Sequence, residues 1–222
     1  MEVFADDSIL PPDPDGLEVL HDREYRVRAY RRSDELLLIR GAVRDQKPPG
    51  LYIEDDPDPL TIHHMQIELD VTFPGLEIVR ADVEFVTYPN DTCGHITEHY
   101  ENLVGLSIAR GFTHRVRELF GGPRGCTHTT ALLQAMAPVA VQCAWSMQAS
   151  AARQAGQGGN RAIASMPSRS AWEVNIGTCH VWAPDGDQVA ALEAGEPMPV
   201  PVFLRERLGL DADGSPSPRR GA

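Results

Sequence analysis

Sulfur is scarce in this chain of 222 residues: there are four cysteines, at 93, 126, 143 and 179. None forms a Cys-x-x-Cys pair, which excludes a zinc ribbon and a thioredoxin-like motif. Four thiols at these spacings are no disulfide framework, so a reduced, cytoplasmic protein is expected. No apolar run approaches the ~20 residues of a membrane helix. The first residues include Glu2, Asp6 and Asp7 and no apolar stretch of signal-peptide type. Basic residues are in deficit, 20 Lys and Arg against 32 Asp and Glu, for a net charge of -12. Such a surface repels phosphate backbones, so no nucleic-acid partner is expected. Nucleotide fingerprints are absent too. Gly121 to Gly125 is glycine-rich but lacks the Lys-Ser/Thr of a P-loop and follows a helical pattern. There is no Gly-x-Ser-x-Gly.

What is present begins with an apolar content of 42%, enough for a core. Residues 1–22, with Pro11, Pro12, Pro14 and several aspartates, read as an extended acidic arm. Residues 24–32 and 35–45 read as strands, and 46–59 as a long loop. The clearest strand starts at His63: Met65, Ile67, Leu69, Val71 and Phe73 alternate with His64, Gln66, Glu68, Asp70 and Thr72. Pro74-Gly75 and the alternating stretch 77–87 complete an antiparallel hairpin. Helices are expected at 95–106, after Gly111, and over 129–147, where Pro138 is expected to kink or split the last. Residues 149–171 read as a flexible linker, 173–182 as a late strand, and 191–222 as a tail. These readings predict an α+β fold: a single domain over 23–190, with an antiparallel sheet and helices packed on one face.

The strongest local signal is Gly125-Cys126-Thr127-His128. Thr127 is a good N-cap, which places Cys126 at the positive end of a helix dipole, where the thiolate form is favoured. His63 heads a core-facing row and needs a polar partner there: a metal, a Tyr hydroxyl or a backbone carbonyl. Cys93 also precedes a helix, and Cys179-His180 sits on the expected late strand, where only one of the two can face inward. Cys143 reads as core and His64 as surface. His95, Glu98 and His99 spell His-x-x-Glu-His, the inverted zinc-peptidase spacing.

Several of these segments together resemble an uncharacterised bacterial family, a domain of unknown function that carries a Gly-Cys-Thr-His segment before a helix. They are Ile62 to Met65, the Cys93 region, Tyr100 to Leu106, Gly111 to Thr113, Arg115 to Glu118, Gly125 to His128 and Cys179-His180. The resemblance spans roughly residues 23–190 and implies no reaction. In layout the chain is also similar to iron–sulfur scaffold and sulfur-acceptor proteins, in which helix-start cysteines and a histidine surround a metal or cluster.

The leading expectation is a small-molecule catabolic enzyme, a lyase or hydrolase. His63, Cys126 and His128, with Tyr100 as a proton partner, would act directly. Alternatively His63, Cys126, His128, Cys93 and Cys179 would supply ligands for a divalent metal. Two other classes compete: a metal or persulfide carrier, and a non-catalytic structural subunit. The arm and the long loop suit a homodimer.

Overall fold

The computed structural model describes residues 9–156, 170–173 and 175–217. The chain divides into two compact units, Met1–Met147 and Gln148–Ala222; the domain expected over 23–190 runs across that division.

In the first unit the alternating stretches form four strands: β1 (Asp22–Arg31), β2 (Leu36–Lys47), β3 (Leu60–Thr72) and β4 (Ile78–Thr87). They pair antiparallel in chain order, β1-β2-β3-β4. Because side chains alternate, one parity builds one face. Leu37, Ile39 and Val43 of β2, and Met65, Ile67, Leu69 and Val71 of β3, are all buried. The other parity carries cross-strand ion pairs, among them Arg44–Glu24, Arg40–Glu68 and Arg80–Asp70. Ion pairs on such a partly solvated face add little stability each, but they disfavour slipped registers.

The buried face is covered by a 3-10 helix, Cys93–Leu103, by α1 (Phe112–Phe120) and by α2 (Thr127–Gln154). In α1, Phe112, Val116 and Phe120 recur every four residues and are buried. In α2, Leu132, Leu133, Met136 and Ala140 form the buried stripe. Pro138 lies inside α2 without ending it. Helix α2 lies close to the sheet at Gly41. A Cβ there would stand 2.7 Å from Met136 Sδ, 2.9 Å from its Cγ and 3.1 Å from Leu132 Cδ1. Glycine at this position of β2 therefore leaves the room that the Met136 and Leu132 side chains of α2 occupy. Gly41→Val is expected to destabilise the fold by about 1–3 kcal/mol through overpacking. The check is the urea unfolding midpoint, which should fall clearly for valine and less for alanine; equal midpoints for wild type and valine would refute the close approach.

The second unit holds α3 (Ser170–Glu173), a 3-10 turn at His180–Trp182, α4 (Asp187–Glu193) and α5 (Val202–Leu208). Its core gathers Trp172, Val189 and Leu192, with Ile176, Trp182 and Met198 against them. Four expectations are corrected. The first helix, expected at 95–106, is a 3-10 helix. The late strand is absent among the described residues of 173–182. Gly177 turns the chain at φ 78, and its N–H bonds the carbonyl of Trp182 at 2.7 Å, closing a loop where a strand would run. The stretch read as a linker begins inside α2, which continues to Gln154, while 157–169 lies outside the described residues. The stretch read as a tail contains α5.

Candidate active site

The site is assembled at one end of the sheet's buried face. Arg23, Asp45 and His63 are cross-strand neighbours on β1, β2 and β3. Asp45 extends the core-facing row of Leu37, Ile39 and Val43, so a carboxylate arrives where an apolar side chain is expected. A bulge follows it, between Asp45 and Gln46; bulges re-aim side chains at such ends. Asp45 is 1% exposed.

A buried carboxylate needs compensation, and this one has it from several sides. Arg23 donates twice, Nε to Oδ1 at 2.5 Å and Nη2 to Oδ2 at 2.7 Å. His63 donates from Nδ1 to Oδ2 at 3.2 Å and His128 from Nε2 at 3.0 Å. His21 Nε2 lies 3.5 Å from Oδ1. Burial pushes the Asp45 carboxyl up, but the hydrogen bonds and charge of Arg23 outweigh it and hold the group at about 2. Asp45 is thus ionised and can only accept hydrogen bonds. Both ring nitrogens that face it must therefore carry protons.

That assignment fixes the other edge of His128. A neutral imidazole with a proton on Nε2 has a lone pair on Nδ1. Nδ1 lies 3.7 Å from the sulfur of Cys126. Burial, with the neighbouring His63, lowers the pKa of His128 below its ordinary value, against the opposing pull of Asp45. The ring is therefore largely neutral near pH 7. His63 stacks on it, with ring centroids 4.0 Å apart and planes 29° apart. One imidazole thus bridges a thiol and a buried carboxylate, held in place by a second imidazole.

The helix start is equally well held. The Cys126 N–H donates to the Tyr100 hydroxyl at 2.8 Å. Tyr100 is buried and stacks on Phe120 with centroids 4.7 Å apart. Burial raises the pKa of its phenol, so Tyr100 anchors the Cys126 backbone as a neutral group. A Cβ at Gly125 would stand 2.5 Å from the Phe120 carbonyl oxygen. The glycine before Cys126 is what lets the turn close onto the end of α1.

Among the expected site residues, the structure brings His63 and His128 together on Asp45. It places Cys126 beside His128, on the ring edge opposite Asp45, and Tyr100 under the Cys126 backbone. Among the described residues, the one group of three ligand types with converging atoms is Asp45, His63 and His128. Cys93 is not in that group and packs partly buried against the core. Cys179 is exposed, in the second unit. The His-x-x-Glu-His segment falls in the 3-10 helix, where positions four apart do not share a face. His99 instead faces the Leu119 carbonyl at 3.1 Å. Burial raises the pKa of the Cys143 thiol. Asp45 and Arg23 were missed by sequence reasoning. Their signal was parity: Asp45 continues the buried row of β2 with a charged residue, and Arg23 shares the parity of the partly buried Val27 and Ala29 of β1.

The family comparison falls on this same region. A family model described as a protein of unknown function, DUF2889, matches residues 21–142, more than half of the chain. The chain belongs to that family. The matched region of this DUF2889 protein runs from His21 through β1 to β4 and into α2, so it contains Arg23, Asp45, His63, Tyr100, Cys126 and His128, while Cys143 and Cys179 lie outside it. No curated protein and no solved structure matches the chain. Among the described residues, no helix is long and apolar enough to cross a membrane.

Proposed function

We propose that the protein is a thiol-dependent hydrolase of small carbonyl substrates, with Cys126 as nucleophile, His128 as general base and acid, and Asp45 as the group that orients His128. One observation carries the reading: the ring of His128 reaches the Cys126 sulfur through Nδ1 and the Asp45 carboxylate through Nε2. A nucleophile, a base within reach of it and a third group orienting the base are the requirements of covalent acyl transfer.

In the first step Nδ1 of His128 takes the thiol proton and the sulfur attacks the substrate carbonyl carbon. The bond from that carbon to the leaving group breaks, and the leaving group takes its proton from His128. In the second step water attacks the thioester carbon, and His128 accepts a proton from the water. The carbon–sulfur bond then breaks, and Cys126 recovers its proton as the acid departs. Asp45 stays ionised throughout and stabilises the imidazolium that forms between transfers. The N–H groups of the first turn of α2 point toward the Cys126 end, and such groups suit a developing oxyanion. His63 is a positioning residue: it stacks on His128 and shares its acceptor. Tyr100 positions the Cys126 backbone. A reducing compartment suits this reading, since all four cysteines are free thiols.

The test is intact-mass analysis after rapid mixing with a panel of small aryl esters and acyl thioesters. The reading expects a transient adduct of acyl mass that maps to Cys126 and decays to free acid. No adduct with any member, or an adduct on Cys179 alone, would reject it.

A further inference from the structure

We infer that Asp45, His63 and His128 also form a binding site for a divalent transition-metal ion, and that its occupation switches the Cys126 thiol off. The site rests on geometry alone; the switch rests on the thiol reading above.

Ligand atoms from the three residues lie within 4.8 Å of one another. Oδ2 of Asp45 is 3.2 Å from His63 Nδ1 and 3.0 Å from His128 Nε2. Ligands held at ~2.0–2.2 Å by a tetrahedral ion stand roughly 3.4 Å apart, so Oδ2 already stands near the required separation from both ring nitrogens, and the remaining pair lies within 4.8 Å. Two imidazoles and one carboxylate suit Zn²⁺, Co²⁺ or Ni²⁺ and are a poor set for Mg²⁺ or Ca²⁺. Arg23 does not close the site. Its Nε holds Oδ1, and only its Nη2 shares Oδ2 with the histidines. An ion at Oδ2 displaces one guanidinium hydrogen bond and leaves the other to orient the carboxylate, as outer partners of metal ligands do.

The consequence follows from the two edges of His128. A metal ion needs the lone pair of Nε2, so the ring proton moves to Nδ1. Nδ1 then faces the sulfur as an N–H donor and can no longer accept the thiol proton. The two uses of His128 therefore exclude each other. Cys126 itself is no ligand here, because its sulfur lies at the edge of the ring that faces away from Asp45.

The test titrates metal-free full-length protein with ZnCl₂ by calorimetry and with CoCl₂ by visible absorption, then measures iodoacetamide labelling of Cys126 with and without Zn²⁺. The expected result is one tight equivalent per chain, retained in Cys126→Ala and weakened at least about tenfold in His63→Asn. Labelling of Cys126 should slow at least about tenfold at saturation, with no effect of MgCl₂. Binding lost in Cys126→Ala but kept in His63→Asn would overturn the site, as would no binding to wild type. Normal binding with unchanged labelling would overturn the switch. If Cys126 never forms an acyl adduct while Cys126→Ala still binds one equivalent, the hydrolase reading falls and the metal site stands.

Discussion

Cys126→Ser is expected to lower turnover of any substrate that acylates the protein by on the order of 10³-fold or more, while the unfolding midpoint moves little. The two side chains are close in size, and the residue is only partly buried, with its backbone N–H held by Tyr100. Serine therefore keeps the anchor and loses the chemistry. A hydroxyl is far harder to deprotonate than a thiol, and a neutral imidazole tuned for sulfur does not activate it. Turnover is read with the ester or thioester that gives the adduct, and stability by urea unfolding. A serine variant with turnover within about threefold of wild type would assign the reaction to another group.

Asp45→Asn is expected to have the largest combined effect. The carboxylate accepts from Arg23, His63 and His128 at once. An amide offers one acceptor oxygen and two donors, so several of these hydrogen bonds are lost and one ring nitrogen meets an N–H. Breaking a buried ion pair by removing one partner costs about 3–5 kcal/mol. Here the Arg23 side chain is 38% exposed and regains water, so the loss should be nearer about 2 kcal/mol. Chemistry should suffer more: the amide N–H favours the His128 tautomer with the proton on the sulfur-facing edge, a change worth on the order of 10³-fold or more in rate.

The pH dependence separates this account from simple loss of packing. The Asp45 carboxyl is held at about 2 in the folded chain, against about 3.9 when unfolded. Its stabilisation is fully present above the unfolded value and is lost as pH falls from there through the folded one. Wild type should therefore lose stability steeply between about pH 4 and 2, and Asp45→Asn should lose distinctly less over that window. His128 behaves in the same sense at higher pH. Its folded pKa is lowered, so its contribution is present above its unfolded value of about 6.5 and declines as pH falls below it. Urea midpoints measured from pH 8 to 2.5 check both. Parallel curves for wild type and Asp45→Asn below pH 4 would contradict the ion-pair assignment.

The sheet was legible because period-two alternation in β3 and β4 is nearly unbroken, and a proline-glycine turn joins them. The α2 start was legible because glycines precede a long apolar stripe, but Thr127, expected to cap the helix, is its first helical residue. The first helix was expected over 95–106 from the stripe of Ile96, Tyr100 and Leu103; only the Tyr100–Leu103 spacing of three is one that a 3-10 helix serves, and so short a stripe does not fix the helix type. The late strand was misread because Val174, Ile176 and Val181 have strand-like side chains, while Gly177 sets a turn and Ile176 and Trp182 pack against Trp172 instead. In the site, His63 was legible as a polar ring at the head of a buried row, and Cys126 and His128 as a helix-start pair. What joins them was not: the cross-strand register that sets Asp45 between Arg23 and His63, and the fit of α2 over Gly41, are long-range facts that no local pattern carries.

The central claim is that His128 couples the Cys126 thiol to the Asp45 carboxylate. The most direct test is the rate of Cys126 alkylation by iodoacetamide at pH 7, followed by peptide mass analysis in wild type, His128→Asn and Asp45→Asn. The account predicts that Cys126 reacts faster than Cys93, Cys143 and Cys179 in wild type and slows at least about tenfold in both variants, as expected of a thiol that loses its base. Equal rates at Cys126 in all three proteins would contradict it.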